Sequence, residues 1–300
     1  MALGNAPVSY GVFGLARPDL VTLPTGPEIL DAVVSAGYEG VDLGAHGLFG
    51  TGEHLVRALA DRDLGLCGGW LDFPFVGDDQ SFERALVEAR HVLDDMALVA
   101  TASGHLPPLP TIADSGSQVR RRLPGRAPTL DDQAWATFVT RLERVLDEVR
   151  ARGLTPTFHH HAATHIETPD EIDRLLADTT TDLTFDTGHL LLGGGDPVVD
   201  LGRWSGRINH VHLKDVDVPL LTAAIGSDDV VRAVWEKRVF CPLGEGDLDL
   251  DGVLGAILAA GLDRGWIVVE QDVVLMSDDD LVRAVGDQVA NREVLRRWFP

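Results

Sequence analysis

The sequence predicts a closed (β/α)8 barrel that forms a single domain over residues 1–300. Short apolar runs rich in β-branched residues alternate with amphipathic helical patterns along the chain. About eight such units in 300 residues suit one closed barrel better than an open, doubly wound sheet. Hydrophobic residues make up 45% of the chain, which is enough to fill a large core.

The strands are predicted at 8–13, 40–44, 64–70, 106–113, 155–160, 182–187, 208–213 and 265–270. Helical patterns occupy 27–36, 53–61, 130–152, a segment that opens at Pro169 behind a Thr168 cap, 251–260 and 278–298. The fourth strand is the least regular, because H-L-P-P-L-P contains prolines that cannot donate to a ladder. Segments 114–128 and 216–240 are predicted to be loops on the top face of the barrel.

The composition limits the classes of partner. A net charge of −22 opposes binding to a phosphate backbone or an anionic membrane, so we expect no nucleic-acid and no membrane partner. The N-terminus lacks the basic start and long apolar run of a signal peptide. Two cysteines, Cys67 and Cys241, do not make a disulfide framework, and we expect a reduced, cytoplasmic protein. A small-molecule partner is expected, and a homo-oligomer remains open.

Polar side chains arrive together at the ends of four consecutive predicted strands. Seven of the 11 histidines fall between His159 and His212. The four segments read T-F-H-H-H, L-T-F-D-T-G-H, I-N-H-V-H-L-K-D and W-I-V-V-E-Q-D. Functional groups of a β/α barrel project from the carboxyl ends of its strands. Imidazoles and carboxylates converging there predict a mixed nitrogen and oxygen site for a divalent metal.

Each of these side chains also has an ordinary structural explanation when taken alone. A strand-end Asp often caps a helix, a buried His is often a satisfied core residue, and Lys214 with Asp215 could be a simple ion pair. Trp70 either floors a sugar-sized pocket or belongs to the core. Glu245, in the turn P-L-G-E-G-D-L-D, either reaches over the barrel mouth or stays in a plain polar turn. His160 and His165 are expected to be structural. Because these side chains occur together at the ends of four consecutive strands, a metal site explains them better than separate structural roles do.

At these residues the chain resembles the xylose-isomerase-like TIM-barrel superfamily of sugar isomerases, epimerases and dehydratases. Within it, the chain is most similar to the myo-inosose dehydratase branch. The matching motifs run in order from 155 to 272 and include F-H-H-H-A-A-T-H-I-E-T, F-D-T-G-H, R-I-N-H-V-H-L-K-D-V, P-L-G-E-G-D-L-D and G-W-I-V-V-E-Q-D. The chain departs from that branch at Ala162-Ala163-Thr164, in place of Met-Gly-Thr, and in its first strand. The resemblance therefore does not fix inosose as the substrate.

The resemblance implies a divalent metal held by Asp186, His212 and Glu270 and completed by His159, His161 or Glu167. Glu167 is favoured because a carboxylate keeps the site oxygen-rich, which suits Mn²⁺ or Co²⁺ and also Mg²⁺, whereas additional histidines would suit Zn²⁺. The side chains expected to bind substrate are His159, Trp70, Glu245 and Asp272.

The expected chemistry is removal of an α-proton from a polyhydroxylated ketone to give an enediolate. His161 and His189 are candidates for proton transfer, and Lys214 for neutralising negative charge. Loss of a β-hydroxyl would then give dehydration, which we favour, whereas reprotonation would give isomerisation or epimerisation. An apurinic-endonuclease-like DNA repair enzyme is disfavoured by the charge and by the lack of a second D-x-H motif. A non-catalytic sugar-binding barrel is the other alternative.

Overall fold

A computed structural model describes residues 2–225, 227 and 229–299. One parallel sheet contains nine strand segments: Ala2–Asn5, Gly40–Val41, Gly65–Leu66, Gly68–Phe73, Leu109–Asp114, Thr157–His159, Asp182–Asp186, Ile208–Leu213 and Trp266–Val269. In the sheet, Gly65–Leu66 is followed by Gly40–Val41, Ala2–Asn5 and Trp266–Val269. From there the neighbouring strands follow in reverse chain order, from Ile208–Leu213 to Gly68–Phe73. The two outermost segments belong to one strand interrupted at Cys67. Its N–H donates to Val41 and its carbonyl accepts from Leu109, and this closes the ring. The (β/α)8 barrel prediction is confirmed.

Helices surround this ring. The α-helices are Gly26–Ala36, Glu53–Ala60, Asp79–Ala102, Gln118–Arg122, Asp132–Arg150, Pro169–Asp178, Thr187–Leu192, Pro197–Trp204, Val218–Ile225, Val230–Glu236, Leu250–Ala260 and Asp278–Leu295, with 3₁₀ turns at Pro7–Tyr10, Ser205–Arg207 and Leu262–Arg264. Helix Asp79–Ala102 is absent from the sequence prediction, although Asp78 caps it by accepting a hydrogen bond from Ser81 N at 2.8 Å.

The predicted first strand at 8–13 is wrong. The strand is Ala2–Asn5, which pairs in parallel with Trp266–Val269 and Gly40–Val41. Pro7 has no N–H to give to a ladder, and the chain turns there into the 3₁₀ segment Pro7–Tyr10. The apolar residues of 8–13 therefore pack beside the barrel mouth.

The two predicted top-face loops contain secondary structure of their own. Segment 114–128 includes helix Gln118–Arg122. Segment 216–240 includes helices Val218–Ile225 and Val230–Glu236. A two-stranded antiparallel sheet, Asp215–Val216 with Phe240–Cys241, returns the second segment to the barrel.

Trp266 closes the bottom of the barrel. It begins the eighth strand and is 1% exposed. A Cβ atom at Gly40 or Gly65 would lie 2.6 or 2.5 Å from its ring, so only glycine leaves room for the indole. The bottom is therefore filled, and a site that small molecules can enter must lie at the opposite end, where the strands end.

The described residues also bear on membrane and redox properties. Among them, no helix combines the length and the apolar composition that crossing a bilayer requires. Cys67 and Cys241 are both free thiols, the first of them buried.

Candidate active site

Four side chains from strands five to eight converge at the top of the barrel. His159 ends strand Thr157–His159, Asp186 ends Asp182–Asp186, His212 lies in Ile208–Leu213, and Glu270 follows Trp266–Val269. The register places Asp186 beside His212 and His212 beside Val268, so the parallel ladder brings the groups to one level. We call these four residues the strand-end cluster.

The ligand atoms of this cluster lie close together. His159 Nε2 is 3.2 Å from both Asp186 Oδ2 and His212 Nδ1, and His212 Nδ1 is 3.1 Å from Glu270 Oε2 and 3.7 Å from Asp186 Oδ2. Ligands about 2.0–2.2 Å from a tetrahedral ion are spaced by roughly 3.3–3.6 Å. Buried Asp186 Oδ2 also makes no hydrogen bond of good geometry within the described residues. The spacing of Asp186, His212 and Glu270 and this unsatisfied oxygen fit a divalent cation, and His159, Asp186 and His189 form a second possible ligand group.

Lys214 brings a positive charge to the same place. Its Nζ lies 2.9 Å from Glu270 Oε2, 3.0 Å from Asp272 Oδ1 and 3.3 Å from Asp186 Oδ2. Burial would lower the pKa of Lys214, but these three carboxylates raise it well above its usual value. Lys214 therefore stays protonated and is unsuited to act as a base.

The titration of the cluster follows from burial and from these charges. Burial lowers the pKa of His159 to about 4, against the opposing attraction of the Asp186 carboxylate. Burial would also lower the pKa of His212, but Glu270 and Asp186 raise it to about 10. Burial would raise the pKa of Asp186, yet Lys214 and the neighbouring histidines hold it well below its usual range. Asp186 is consequently a carboxylate at neutral pH.

An open cavity of about 740 Å³ lies over the cluster, and we call it the mouth cavity. Its size suits a sugar or cyclitol. Trp70, 39% exposed, forms one wall, with its ring edge-on to His159 and His161 at centroid distances of 5.4 and 5.1 Å. The titratable residues that line the cavity are Asp42, His46, Asp72, Asp114, Arg121, His159, His161, His212, Lys214, Glu270 and Asp272.

His161 lines this cavity and has one ring nitrogen engaged and one free. Its Nδ1 lies 2.8 Å from the carbonyl oxygen of Ala162, which can only accept, so Nδ1 carries the hydrogen. Nε2 then keeps its lone pair. Burial lowers the pKa of His161 to about 3, and the imidazole is neutral at physiological pH. His161 can therefore accept a hydroxyl hydrogen bond at Nε2, and it can take a proton only from a carbon that has been made acidic.

His189 lies behind His161, outside the cavity lining. The two ring centroids are 3.7 Å apart, and His189 Nε2 is 3.1 Å from Lys214 Nζ. Its backbone N–H donates to Asp186 Oδ1 at 2.9 Å. This placement suits a residue that positions Lys214 and Asp186 better than one that meets a substrate.

Glu167 is not brought to the strand-end cluster. Its Oε1 accepts from the N–H of Ala163 at 3.0 Å, and its Oε2 lies 3.8 Å from Arg120. The chain folds back after His161, whose N–H donates to Ile166, and this turn directs Glu167 away from the ring of strand ends. His159 lies at the place in the cluster where the sequence prediction favours Glu167.

Glu245 is likewise outside both the cluster and the cavity lining. It is exposed on its turn, whose N–H groups at Gly244, Gly246 and Leu248 converge on the carboxylate of Asp215. Asp272, by contrast, lines the mouth cavity and bonds to Trp235 Nε1 at 3.2 Å. His160 accepts from the N–H of Asp186 at 3.2 Å and faces away from the cavity.

Two acidic groups at the mouth were not assigned from the sequence. Asp42 follows the second strand, and burial raises its pKa to about 6. Asp114 ends the fourth strand and bonds to His165 Nδ1 at 2.7 Å. T-I-A-D shows the same apolar run ending in Asp as the later strands, but the preceding prolines obscured the pattern.

The chain matches the model of the xylose isomerase-like TIM barrel family over residues 30–287. The protein belongs to this family. An inosose dehydratase of Lacticaseibacillus casei is 29% identical over 279 residues, which cover 90% of this chain and 89% of that protein.

Two solved structures share the fold. L-ribulose 3-epimerase superposes with a TM-score of 0.66 at 17% identity, covering 99% of this chain and 93% of the other. The IolI protein with a bound zinc atom superposes with a TM-score of 0.68 at 14% identity, covering 100% and 99%. At these identities the likeness shows the fold alone.

Proposed function

We propose that this protein is a metal-dependent enzyme acting on a polyhydroxylated ketone, and that the reaction it favours is dehydration. One observation carries the proposal: two imidazoles, two carboxylates and a buried ammonium converge at the floor of a sugar-sized cavity. The similarity to an inosose dehydratase over most of both chains supports the same reaction class. The acidic chain and the enclosed floor favour a small molecule over a nucleic acid.

The strand-end cluster is the proposed metal site, held by His159, Asp186, His212 and Glu270. Bound there, a divalent ion would supply Lewis-acid polarisation of a carbonyl oxygen. The donor set is two nitrogens and two oxygens, with His159 in place of Glu167. This set is less oxygen-rich than the sequence suggested, which moves the preference toward Zn²⁺ or Co²⁺, with Mn²⁺ and Mg²⁺ less favoured.

The chain's own residues account for the proton movements. His161 accepts the α-proton at Nε2. The Lys214 ammonium lies within 3.3 Å of three carboxylates and offsets negative charge that develops on the substrate oxygen. Burial raises the pKa of Asp272, against the attraction of Lys214, and we assign to Asp272 the protonation of the departing β-hydroxyl, which leaves as water. Trp70 covers the apolar face of the substrate.

Epimerisation is the second candidate, and Asp42 is the observation that favours it. This carboxylate, with a raised pKa of about 6, lines the same cavity three strands away from His161 around the ring. Two proton-transfer groups on different walls would allow a carbon to be deprotonated on one face and reprotonated on the other.

Product identity separates the two reactions. We expect protein loaded with Zn²⁺, Co²⁺ or Mn²⁺ to convert an inosose or a ketose into an unsaturated or dicarbonyl product with new ultraviolet absorbance. Formation of a diastereomer without new absorbance would identify an epimerase. If no member of a panel of inososes and of neutral and anionic ketoses reacts with any of these metals, the proposed function is wrong.

Replacing His161 should slow the reaction without emptying the metal site. We expect His161→Gln to lower kcat by about 10²- to 10⁴-fold, because a proton acceptor is lost, while metal content stays at the wild-type level. The measurement pairs steady-state kinetics with elemental analysis. His91→Gln, an exposed histidine on helix Asp79–Ala102, is the matched control. A metal-free His161→Gln protein would instead make His161 a ligand.

A further inference from the structure

A second cavity of about 730 Å³ adjoins the mouth cavity and is rich in arginine. The two cavities share Gly14, Leu15, Arg121 and Trp235 in their linings. Among the described residues, the lining of the second cavity includes four arginines, Arg17, Arg121, Arg122 and Arg232, and two acidic residues, Asp229 and Glu236. In a chain with a net charge of −22, this local excess of positive charge is unusual. We call this space the arginine cavity.

The arginines differ in how far they are already neutralised. Arg17 pairs with Asp19 at 2.8 Å, and Arg232 pairs with Glu236 at 2.6 Å. Arg121 and Arg122 make no ion pair with a carboxylate anywhere in the described part of the chain. Arg121 also lines the mouth cavity, so this residue lies where the two spaces meet.

A third arginine, Arg120, fixes helix Gln118–Arg122, which carries Arg121 and Arg122. Arg120 is 1% exposed and donates to Glu171 Oε1 at 2.6 Å and to the carbonyl of Pro128 at 3.0 Å. Ser117 caps the helix by accepting from Arg120 N. Buried Arg120 therefore fixes the short helix Gln118–Arg122, and the two residues that follow it, Arg121 and Arg122, line the arginine cavity. This arrangement places positive charge at the edge of the active site.

We propose that the substrate carries an anionic group, a carboxylate or a phosphate, that binds Arg121 and the arginine cavity while its carbonyl end lies over the strand-end cluster. The planar guanidinium donates two parallel hydrogen bonds to either anion. The inference rests on the proposed function for the carbonyl end only. It narrows the substrate class from neutral cyclitols and ketoses to sugar acids or sugar phosphates.

Anion binding is tested first without turnover. Isothermal titration of the metal-loaded protein with inorganic phosphate and with malonate should show binding that weakens about ten- to hundredfold in Arg121→Gln. Arg126→Gln removes an exposed arginine of the same segment that is outside both linings, and it should bind as wild type does. Equal binding by wild type and Arg121→Gln, or no binding of either anion by wild type, overturns the proposal.

Turnover then identifies the source of the anion. A ketose phosphate, a keto sugar acid and a neutral ketose of equal length are compared, and one of the two anions should show a KM about ten- to hundredfold below that of the neutral ketose, lost in Arg121→Gln. A preference for the phosphate or for the acid decides between them. Equal KM values for all three overturn the proposal while leaving the proposed function intact. Anion binding without turnover of any ketone would instead refute the proposed function alone.

Discussion

Replacing Asp186 by asparagine is expected to abolish both metal retention and activity. The substitution removes a buried negative charge that lies 3.2 Å from His159 Nε2 and 3.7 Å from His212 Nδ1. A neutral amide offsets the desolvation of a divalent ion poorly, so we expect less than a tenth of the wild-type metal content and at least a 10³-fold loss of kcat, as an order-of-magnitude estimate.

The same substitution should leave the fold intact. Asp186 Oδ1 accepts from the N–H of His189 at 2.9 Å, and an asparagine oxygen can keep this helix cap. Asp200→Asn is the control, because Asp200 is a buried carboxylate that accepts from Asp196 N on a surrounding helix. Elemental analysis with circular dichroism checks both points. Full metal occupancy in folded Asp186→Asn would rule out Asp186 as a ligand.

Replacing Lys214 by methionine should separate catalysis from metal binding. Methionine fills a similar volume but removes the charge that faces Asp186, Glu270 and Asp272. We expect kcat to fall by about 10²- to 10³-fold, because negative charge on the substrate is no longer offset. Metal affinity should stay the same or rise, because the site loses a competing cation.

The chain supplies its own control for this variant. Lys237 is the only other lysine, and it is exposed at the end of helix Val230–Glu236. Lys237→Met should match wild type in kcat and in metal content. Loss of metal from Lys214→Met would instead assign Lys214 a supporting role in the metal site.

The strand-end cluster could be predicted from the sequence because parallel strands fix the level of their ends. Once T-F-H, L-T-F-D, N-H-V-H and I-V-V-E are taken as strands five to eight, the ladder brings their last side chains together. The place of Lys214 could be predicted for the same reason, since it lies two residues beyond His212.

Features that depend on the path of a loop could not be predicted in this way. Glu167 is close to a strand end in sequence, but the hydrogen bonds that fold the chain back after His161 direct it toward Arg120. Glu245 stays outside the site because its turn is organised around Asp215. A run of arginines does not show which member reaches a cavity, so the sequence alone does not single out Arg121. The predicted first strand is wrong because the apolar residues after Pro7 do not join the sheet, although Tyr10 is buried and Val8, Val12 and Phe13 are half-buried.

Exchange of substrate hydrogen with solvent tests the central claim most directly. If the strand-end cluster and His161 carry out proton removal next to a carbonyl, incubation of metal-loaded protein with its ketone substrate in D₂O should place deuterium in two kinds of position. Recovered substrate or an epimer should carry it at the α-carbon, and a dicarbonyl dehydration product should carry it at the former β-carbon, which takes a solvent deuteron when the enol ketonises. Nuclear magnetic resonance of recovered substrate and product would show this incorporation, which should depend on added metal and vanish in Asp186→Asn. Product formed at the wild-type rate with no deuterium at carbon would contradict this account, because it would show that no exchangeable α-proton is removed.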